Sequence, residues 1–253
     1  MPRKERADQL VHEAGLAESR EQAKRMIMAG QVFVLRGPLA APVAEPVDKP
    51  GHKFDLDARF EVRGRERFVS RGAYKLLTAI DYFKFDVTGF VALDAGASTG
   101  GFTDCLLQHG AVRVYAVDVG HGQLHERMQA DPRVMNLERT NLRTASADLI
   151  PEQVDIVVAD VSFISLTLVL EPCMQWLKPG GRVVALVKPQ FEVGAHQTDR
   201  GVVRDEGLQQ AAVDKVLTYC RETLGLVHEG TVPSAIKGPK GNQEYLVCLR
   251  REA

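Results

Sequence analysis

Residues Val91-Ala-Leu-Asp-Ala-Gly-Ala-Ser-Thr-Gly-Gly-Phe-Thr103 read as a short apolar strand, a turn of small residues and the start of a helix. Glycines in such a turn let the backbone bend sharply and approach a ligand beside a helix N-terminus. A dinucleotide fingerprint, G-x-G-x-x-G, needs its second glycine to admit a pyrophosphate, and here that slot holds Ser98. Asp94 precedes the turn, where a carboxylate repels a pyrophosphate but suits a cationic ligand. Asp118 ends the next strand, where it could hold the two hydroxyls of a ribose. A tight turn with an ordinary loop acid is the plain alternative; turn, strand order and acid together favour a nucleoside site.

Strands and helices alternate from residue 90 onward. Val91–Asp94, Val112–Asp118, Val134–Glu138, Val154–Asp160 and Arg182–Lys188 read as strands, with helices near 101–109, 166–177 and 205–224. Leu226–Val232 and Glu244–Leu249 close the pattern as two more strands. The fold class is therefore α/β, a seven-stranded, mostly parallel sheet covered by helices on both faces. Ligands of such sheets bind at the carboxyl ends of the strands, which is where the candidate residues fall.

The N-terminal part has a different pattern. Residues 5–15 and 18–29 place Ala7, Leu10, Val11, Ala14, Ala23, Met26 and Ile27 at helical spacing. Gly15 suits the end of the first helix, Ser19 and Gln22 resemble a capping box for the second, and Gly30 ends it. Gln31–Leu35 reads as a strand, and 36–53, with Pro38, Pro42, Pro46 and Pro50, as a surface loop or arm. The expected organisation is a small α+β module over 1–60, a basic linker over 61–75 and the α/β domain over 76–253.

The chain has 253 residues, 45% hydrophobic and 26% charged, which excludes disorder and allows one large domain or two modest ones. No apolar run spans a membrane, and the charged N-terminus lacks the core of a secretory signal. Cys105, Cys173, Cys220 and Cys248 are scattered, without metal-ligand spacing, and read as reduced thiols of a cytoplasmic protein. A net charge of −1 argues at first against a nucleic-acid partner, yet residues 1–75 carry +4 and the remainder −5.

The phrases Leu93–Thr103, Ala116–Leu124, Leu137–Arg143, Ala159–Phe163 and Val187–Glu192 resemble the TlyA (haemolysin A-like) family, relatives of the FtsJ-type RNA 2′-O-methyltransferases. The resemblance covers nearly the whole chain. It implies S-adenosyl-L-methionine as cofactor, with Asp94, Gly96, Ser98, Gly100 and Phe102 at its methionine end, Asp118 on the ribose and Asn141 near the adenine. It also carries over four charged residues, Lys75, Asp160, Lys188 and Glu244, which spacing alone does not pair.

Chemistry explains such a set. A ribose hydroxyl that attacks a sulfonium methyl must lose its proton, and a lysine accepts it only when its pKa falls from about 10 toward neutrality. Lys188 is the candidate base and Lys75 the neighbouring cation. Asp160 would orient Lys188 and favour the sulfonium, and Glu244 would position Lys75 or the ribose. Nearby carboxylates pull the other way, toward a charged lysine, and the sequence leaves that balance open. His121 and His125, four residues apart, lack a third ligand, so no metal is expected; Ser162 and Ser165 lack a nucleophile elbow; Trp176 reads as core.

Residues 6–34 resemble the RNA-binding module of ribosomal protein S-four, which implies phosphate contacts by Arg6, Arg20, Lys24 and Arg25. Arg65, Arg67 and Arg71, in the stretch that joins the modules, are further RNA candidates. The expected function is methyl transfer to a ribose 2′-hydroxyl, most simply of a cytidine, in ribosomal RNA or a ribosomal subunit, by a monomer with no membrane partner. The alternatives are a non-catalytic RNA-binding protein that keeps the cofactor fold and, more weakly, a membrane-lytic haemolysin.

Overall fold

The computed structural model describes residues 4–38, 42–64, 67–194 and 197–252. They form two compact units, Met1–Arg67 and Phe68–Ala253.

In the first unit, β1 (Lys4–Arg6) pairs antiparallel with β4 (Lys53–Asp55), and β3 (Val43–Pro46), β2 (Val32–Arg36) and β5 (Arg59–Val62) make a three-stranded antiparallel sheet. Helices α1 (Ala7–Glu13) and α2 (Arg20–Met28) supply Ala7, Leu10, Val11, Ala23, Met26 and Ile27 to a core shared with Val32, Val34 and Phe54. Ser19 caps α2 through its hydroxyl, which accepts the Gln22 N–H at 3.2 Å. Gly15 and Gly30, at φ of +70° each, turn the chain after the two helices.

Two expectations are corrected here. The stretch 36–53 is not all loop, because Val43–Pro46 pairs along Phe33–Arg36 as an edge strand, where prolines are tolerated. The stretch 61–75 is not a free linker either. Val62 ends β5 with its side chain against the first core, while Ala73 opens helix α3 (Ala73–Phe83) of the second unit. That helix escaped the sequence reading, although Ala73, Leu76, Ala79 and Ile80 are its buried stripe.

The second unit is built on a seven-stranded sheet in the order β11-β12-β10-β9-β6-β7-β8. These strands are β6 (Val91–Ala95), β7 (Arg113–Val117), β8 (Val134–Leu137), β9 (Val154–Ala159), β10 (Leu177–Val187), β11 (Leu226–Pro233) and β12 (Tyr245–Arg251). β10, β9, β6, β7 and β8 pair in parallel, and β12 runs antiparallel between β10 and β11. Helices α4 (Gly101–Gln108), α5 (Glu126–Gln129), α6 (Thr167–Cys173), α7 (Pro189–Glu192) and α8 (Glu206–Glu222) complete the unit. One core layer joins α3 and α4 to the sheet through Leu76, Ile80, Leu106, Ile156 and Leu246. The other joins α6 and α8 through Leu93, Val157, Leu170, Val213 and Val247. The helix expected over 166–177 is shorter, since Leu177 already begins β10.

Candidate active site

Strand register brings distant residues together at one edge of the sheet. Ala95 is level with Ala159, and Ala159 with Ala185, so Gly96, Asp160 and Lys188 leave neighbouring parallel strands at the same end. Because β12 is antiparallel and Tyr245 pairs with Val187, Glu244 enters at that end too. Lys75 arrives on the first turn of α3. Asp104, buried on α4, accepts the Val69 N–H at 2.8 Å and so ties down the chain just before that helix. Gly101 then lets α3 approach, since a Cβ there would stand 2.7 Å from Ser70 Oγ and 2.9 Å from Ala73 N.

The result is a chain of alternating charges. Lys75 Nζ donates to Glu244 Oε2 at 2.7 Å and lies 3.8 Å from Asp160 Oδ2. Lys188 Nζ lies 2.6 Å from Asp160 Oδ1, as an ion pair off hydrogen-bond alignment, and donates to Ser162 Oγ at 2.8 Å. All four charged side chains are largely buried, Glu244 completely. Glu244 Oε1 fills the space beside Gly238, where a Cβ would come within 2.0 Å of it. Burial strengthens each attraction, and two basic groups face two acidic ones.

Two adjoining cavities border this cluster. The smaller, about 160 Å3, is lined by Ser70, Gly72, Phe102, Lys188 and the 96–99 turn among others. The larger, about 390 Å3, is lined by Asp118, Gln123, Thr140–Arg143 and Val161–Ile164 among others. Gly96, Ser98, Asp160 and Ser162 line both, so the two form one crevice at the switch point between β6 and β9. Its size suits a small ligand.

The candidate cofactor residues divide between the crevice and its support. Gly96, Ser98, Phe102, Asp118 and Asn141 line it, the last as an exposed residue whose Oδ1 accepts the Arg143 N–H. Gly96 has φ +86°, and a Cβ would stand 2.9 Å from the Asp160 carbonyl oxygen. Asp118 accepts the Ser98 and Gly120 N–H groups at 2.8 and 2.7 Å, which fixes the turn to the second strand end. Gly100 is not at the crevice; it gives way to Leu124 and Met128, which a Cβ would meet at 2.8 and 2.9 Å.

Asp94 is wholly buried beneath the turn. Its Oδ2 accepts the Thr103 hydroxyl at 2.6 Å and its Oδ1 has no partner. Burial pushes its carboxyl up to about 7, against the Thr103 hydrogen bond and helped by the charges of Asp160 and Asp118. Glu138 behaves in the opposite way. Its carboxylate accepts N–H groups of Gly122, Gln123 and Leu124 and faces His121, and these bonds hold it down at about 2. It thereby braces the loop that carries Gln123 to the crevice.

Ser162, Phe163 and Ile164 were missed as crevice residues, although the quoted phrase Ala159–Phe163 ends on two of them. Phe163 has φ +64° and is 90% exposed, with its ring 5.1 Å from that of Phe191. Buried Glu192 fastens this loop to the segment after Lys188. Its carboxylate accepts the Ser165 hydroxyl at 2.6 Å and the Leu166 N–H at 2.8 Å, and Lys215 lies 3.4 Å away.

In the first unit, Arg6 and Arg20 both clasp buried Asp8, at 2.8 and 3.3 Å, and Lys24 pairs with Glu21 at 3.3 Å. Arg25 is exposed, as are Arg67 and Arg71, while Arg65 lies outside the described residues. His121 pairs with Glu138, and His125 caps α5. The four cysteines are free and buried. Among the described residues no helix is long and apolar enough to cross a membrane, and no His, Cys, Asp or Glu cluster could hold a metal ion.

Residues 68–251 match the FtsJ-like methyltransferase family and 5–34 the S4 domain. The 16S/23S rRNA (cytidine-2′-O)-methyltransferase TlyA of Mycobacterium tuberculosis is 43% identical, over all of this chain and 92% of its own length. Hemolysin A of Brachyspira hyodysenteriae is 37% identical, over 95% of this chain and 98% of its own. A solved structure from Streptococcus thermophilus, described as a hemolysin, is 42% identical with a TM-score of 0.73, covering 100% of this chain and 90% of that one. Fold, motifs and full-length identity agree, and the chain belongs to the TlyA family, as an S4 domain followed by an FtsJ-like methyltransferase domain.

Proposed function

We propose that this protein transfers a methyl group from S-adenosyl-L-methionine to a ribose 2′-hydroxyl of ribosomal RNA, at a cytidine. The observation that carries the reading is the buried Lys75–Glu244–Asp160–Lys188 cluster beside a nucleoside-sized crevice. The cytidine and the ribosomal RNA follow from the named activity of the mycobacterial relative.

The crevice residues fit the cofactor. Asp118 has lone pairs left for a ribose diol, and the small residues of the 96–101 turn leave room for the methionine portion. Beneath it lies the unpartnered Asp94 Oδ1, whose carboxyl would ionise against a cationic sulfonium. Asn141 lines the larger cavity where an adenine would lie. The cofactor supplies an electrophilic methyl group on a sulfonium.

Lys188 is the base. As the ribose oxygen bonds to the methyl carbon, the proton of the hydroxyl passes to the lone pair of the Lys188 amine in its uncharged form, and the carbon–sulfur electron pair stays on sulfur. Asp160 and Ser162 aim Nζ and then hold the ammonium that forms. Lys75, held by Glu244, supplies a positive charge that attracts the developing alkoxide. In the first unit, Arg6, Arg20, Lys24 and Arg25 meet RNA phosphates; Asp8 fixes the first two guanidiniums and leaves N–H donors outward. Arg65, Arg67 and Arg71 are further candidates for phosphate contact.

The test supplies labelled S-adenosylmethionine with isolated small subunits, large subunits or naked ribosomal RNA and maps the modified ribose. Label on a cytidine 2′-oxygen is expected. No label on any of them would leave the non-catalytic RNA-binding reading.

A further inference from the structure

Tyr74, Leu77, Thr78, Asp81 and Tyr82 of α3 form one wall of an open groove of about 520 Å3, and Ala235 and Ile236, in the loop after β11, form the other. Tyr82 is 63% exposed and Tyr74 37%, so two aromatic rings meet solvent along one helix face. Both walls continue into the charged cluster. Lys75 follows Tyr74 in α3, and the Ser234 N–H donates to the Glu244 carbonyl at 2.8 Å. Ser234 Oγ also donates to the Ile236 carbonyl at 2.8 Å, which folds the loop into its place beside α3.

Charge surrounds this apolar surface in a particular way. Arg71 just before α3, Lys84 at its C-terminal end and Lys237 after Ile236 are all exposed. None of the three belongs to an ion pair among the described residues. Asp81 lies within the groove. A phosphate laid along the groove is repelled by Asp81, whereas a base face is not, and backbone phosphates on either side reach the cations. Aromatic rings bordered by cations are the chemistry of single-stranded nucleic-acid binding, in which bases stack and phosphates pair.

We infer that this groove binds unstacked bases of the RNA strand adjoining the methyl-acceptor nucleotide, stacked on Tyr74 and Tyr82. The inference rests on the RNA methyltransferase reading above and adds the surface that replaces the stacking lost when the acceptor ribose is drawn to Lys188.

Two experiments test it. Ultraviolet cross-linking of the full chain to a short single-stranded oligoribonucleotide, followed by peptide mapping, should attach nucleotides to Tyr74 or Tyr82. Cross-links found only elsewhere overturn the groove. In methyl transfer to whichever RNA the wild type modifies, the double variant Tyr74→Ala, Tyr82→Ala should raise KM for RNA about tenfold or more. Cofactor affinity and kcat should stay unchanged, and phenylalanine at both positions should restore KM.

Tyr74 also packs edge-on against buried Phe68, so Tyr82→Ala alone provides the variant that leaves this contact intact. An unchanged KM in Tyr82→Ala overturns the inference. So does a change in self-association by Tyr82→Ala with RNA affinity intact, which would assign the groove to protein contact. A wild type that cross-links at the groove but methylates no RNA would instead overturn the methyltransferase reading.

Discussion

Lys188 Nζ stands 2.6 Å from Asp160 Oδ1, while the other oxygen of the same carboxylate lies 3.8 Å from Lys75 Nζ. One acid thus spaces two lysines. Replacing Asp160 with Asn keeps the shape and removes the charge that aims Lys188. Transfer should fall about 100-fold or more, and Lys188→Ala should fall at least as far. Cofactor affinity in Lys188→Ala should stay within about twofold of wild type if Lys188 serves, as proposed, the hydroxyl rather than the bound nucleoside. Single-turnover transfer and equilibrium binding measure the two quantities separately. Full activity in Lys188→Ala would remove the base assignment.

Glu192 reaches the site only through others. It holds Ser165 and Leu166, so it fixes the loop of Asp160 and Ser162 against the segment that carries Lys188. Glu192→Ala strands buried donors and should destabilise the protein by about 2–4 kcal/mol in denaturant unfolding. Glu192→Gln retains one acceptor, and should fold while losing about tenfold in kcat with KM for RNA unchanged. A Gln variant with wild-type kcat would make Glu192 structural only.

Under the proposed function, substitutions at two glycines should separate cofactor binding from methyl transfer. Gly96→Ala meets both a φ of +86° and the Asp160 carbonyl, so cofactor binding and transfer should both be lost. Gly238→Ala collides with the Glu244 side chain; it should displace the partner of Lys75 and cut transfer while cofactor affinity persists. Isothermal titration of both variants with the cofactor distinguishes these outcomes.

Asp94 makes stability depend on pH. Its folded pKa, about 7, lies above the ordinary 3.8, so the native state holds a proton that the unfolded state has released between those values. Its contribution is fully present below 3.8 and declines as pH rises through 7. Asp94→Asn should flatten that decline, by on the order of 2–4 kcal/mol between pH 4 and 8. A cationic cofactor favours the carboxylate, so wild-type binding near pH 7 should release protons, seen as a buffer-dependent enthalpy that the Asn variant lacks. Equal buffer dependence in both would exclude Asp94 from cofactor recognition.

Much of this protein follows from its sequence. The Leu93–Thr103 turn, the strand spacing after residue 90 and the split of charge about residue 75 are local patterns. Local patterns determine the α/β class, the crevice at the strand ends and the presence of a separate N-terminal module. Helix α3 stayed hidden because its first turn lies within a run of basic residues, and its buried stripe has meaning only once a sheet lies beneath it. The pairing of Lys75 with Glu244, 169 positions apart, was equally out of reach of spacing. It arises because β12 enters the sheet antiparallel beside β10, and a single register sets Glu244 next to Lys188. Ser162, Glu192 and the tyrosine groove share that character. Their chemistry lies in what they face, and hydrogen bonding and packing between segments far apart in the chain decide that only when the chain folds.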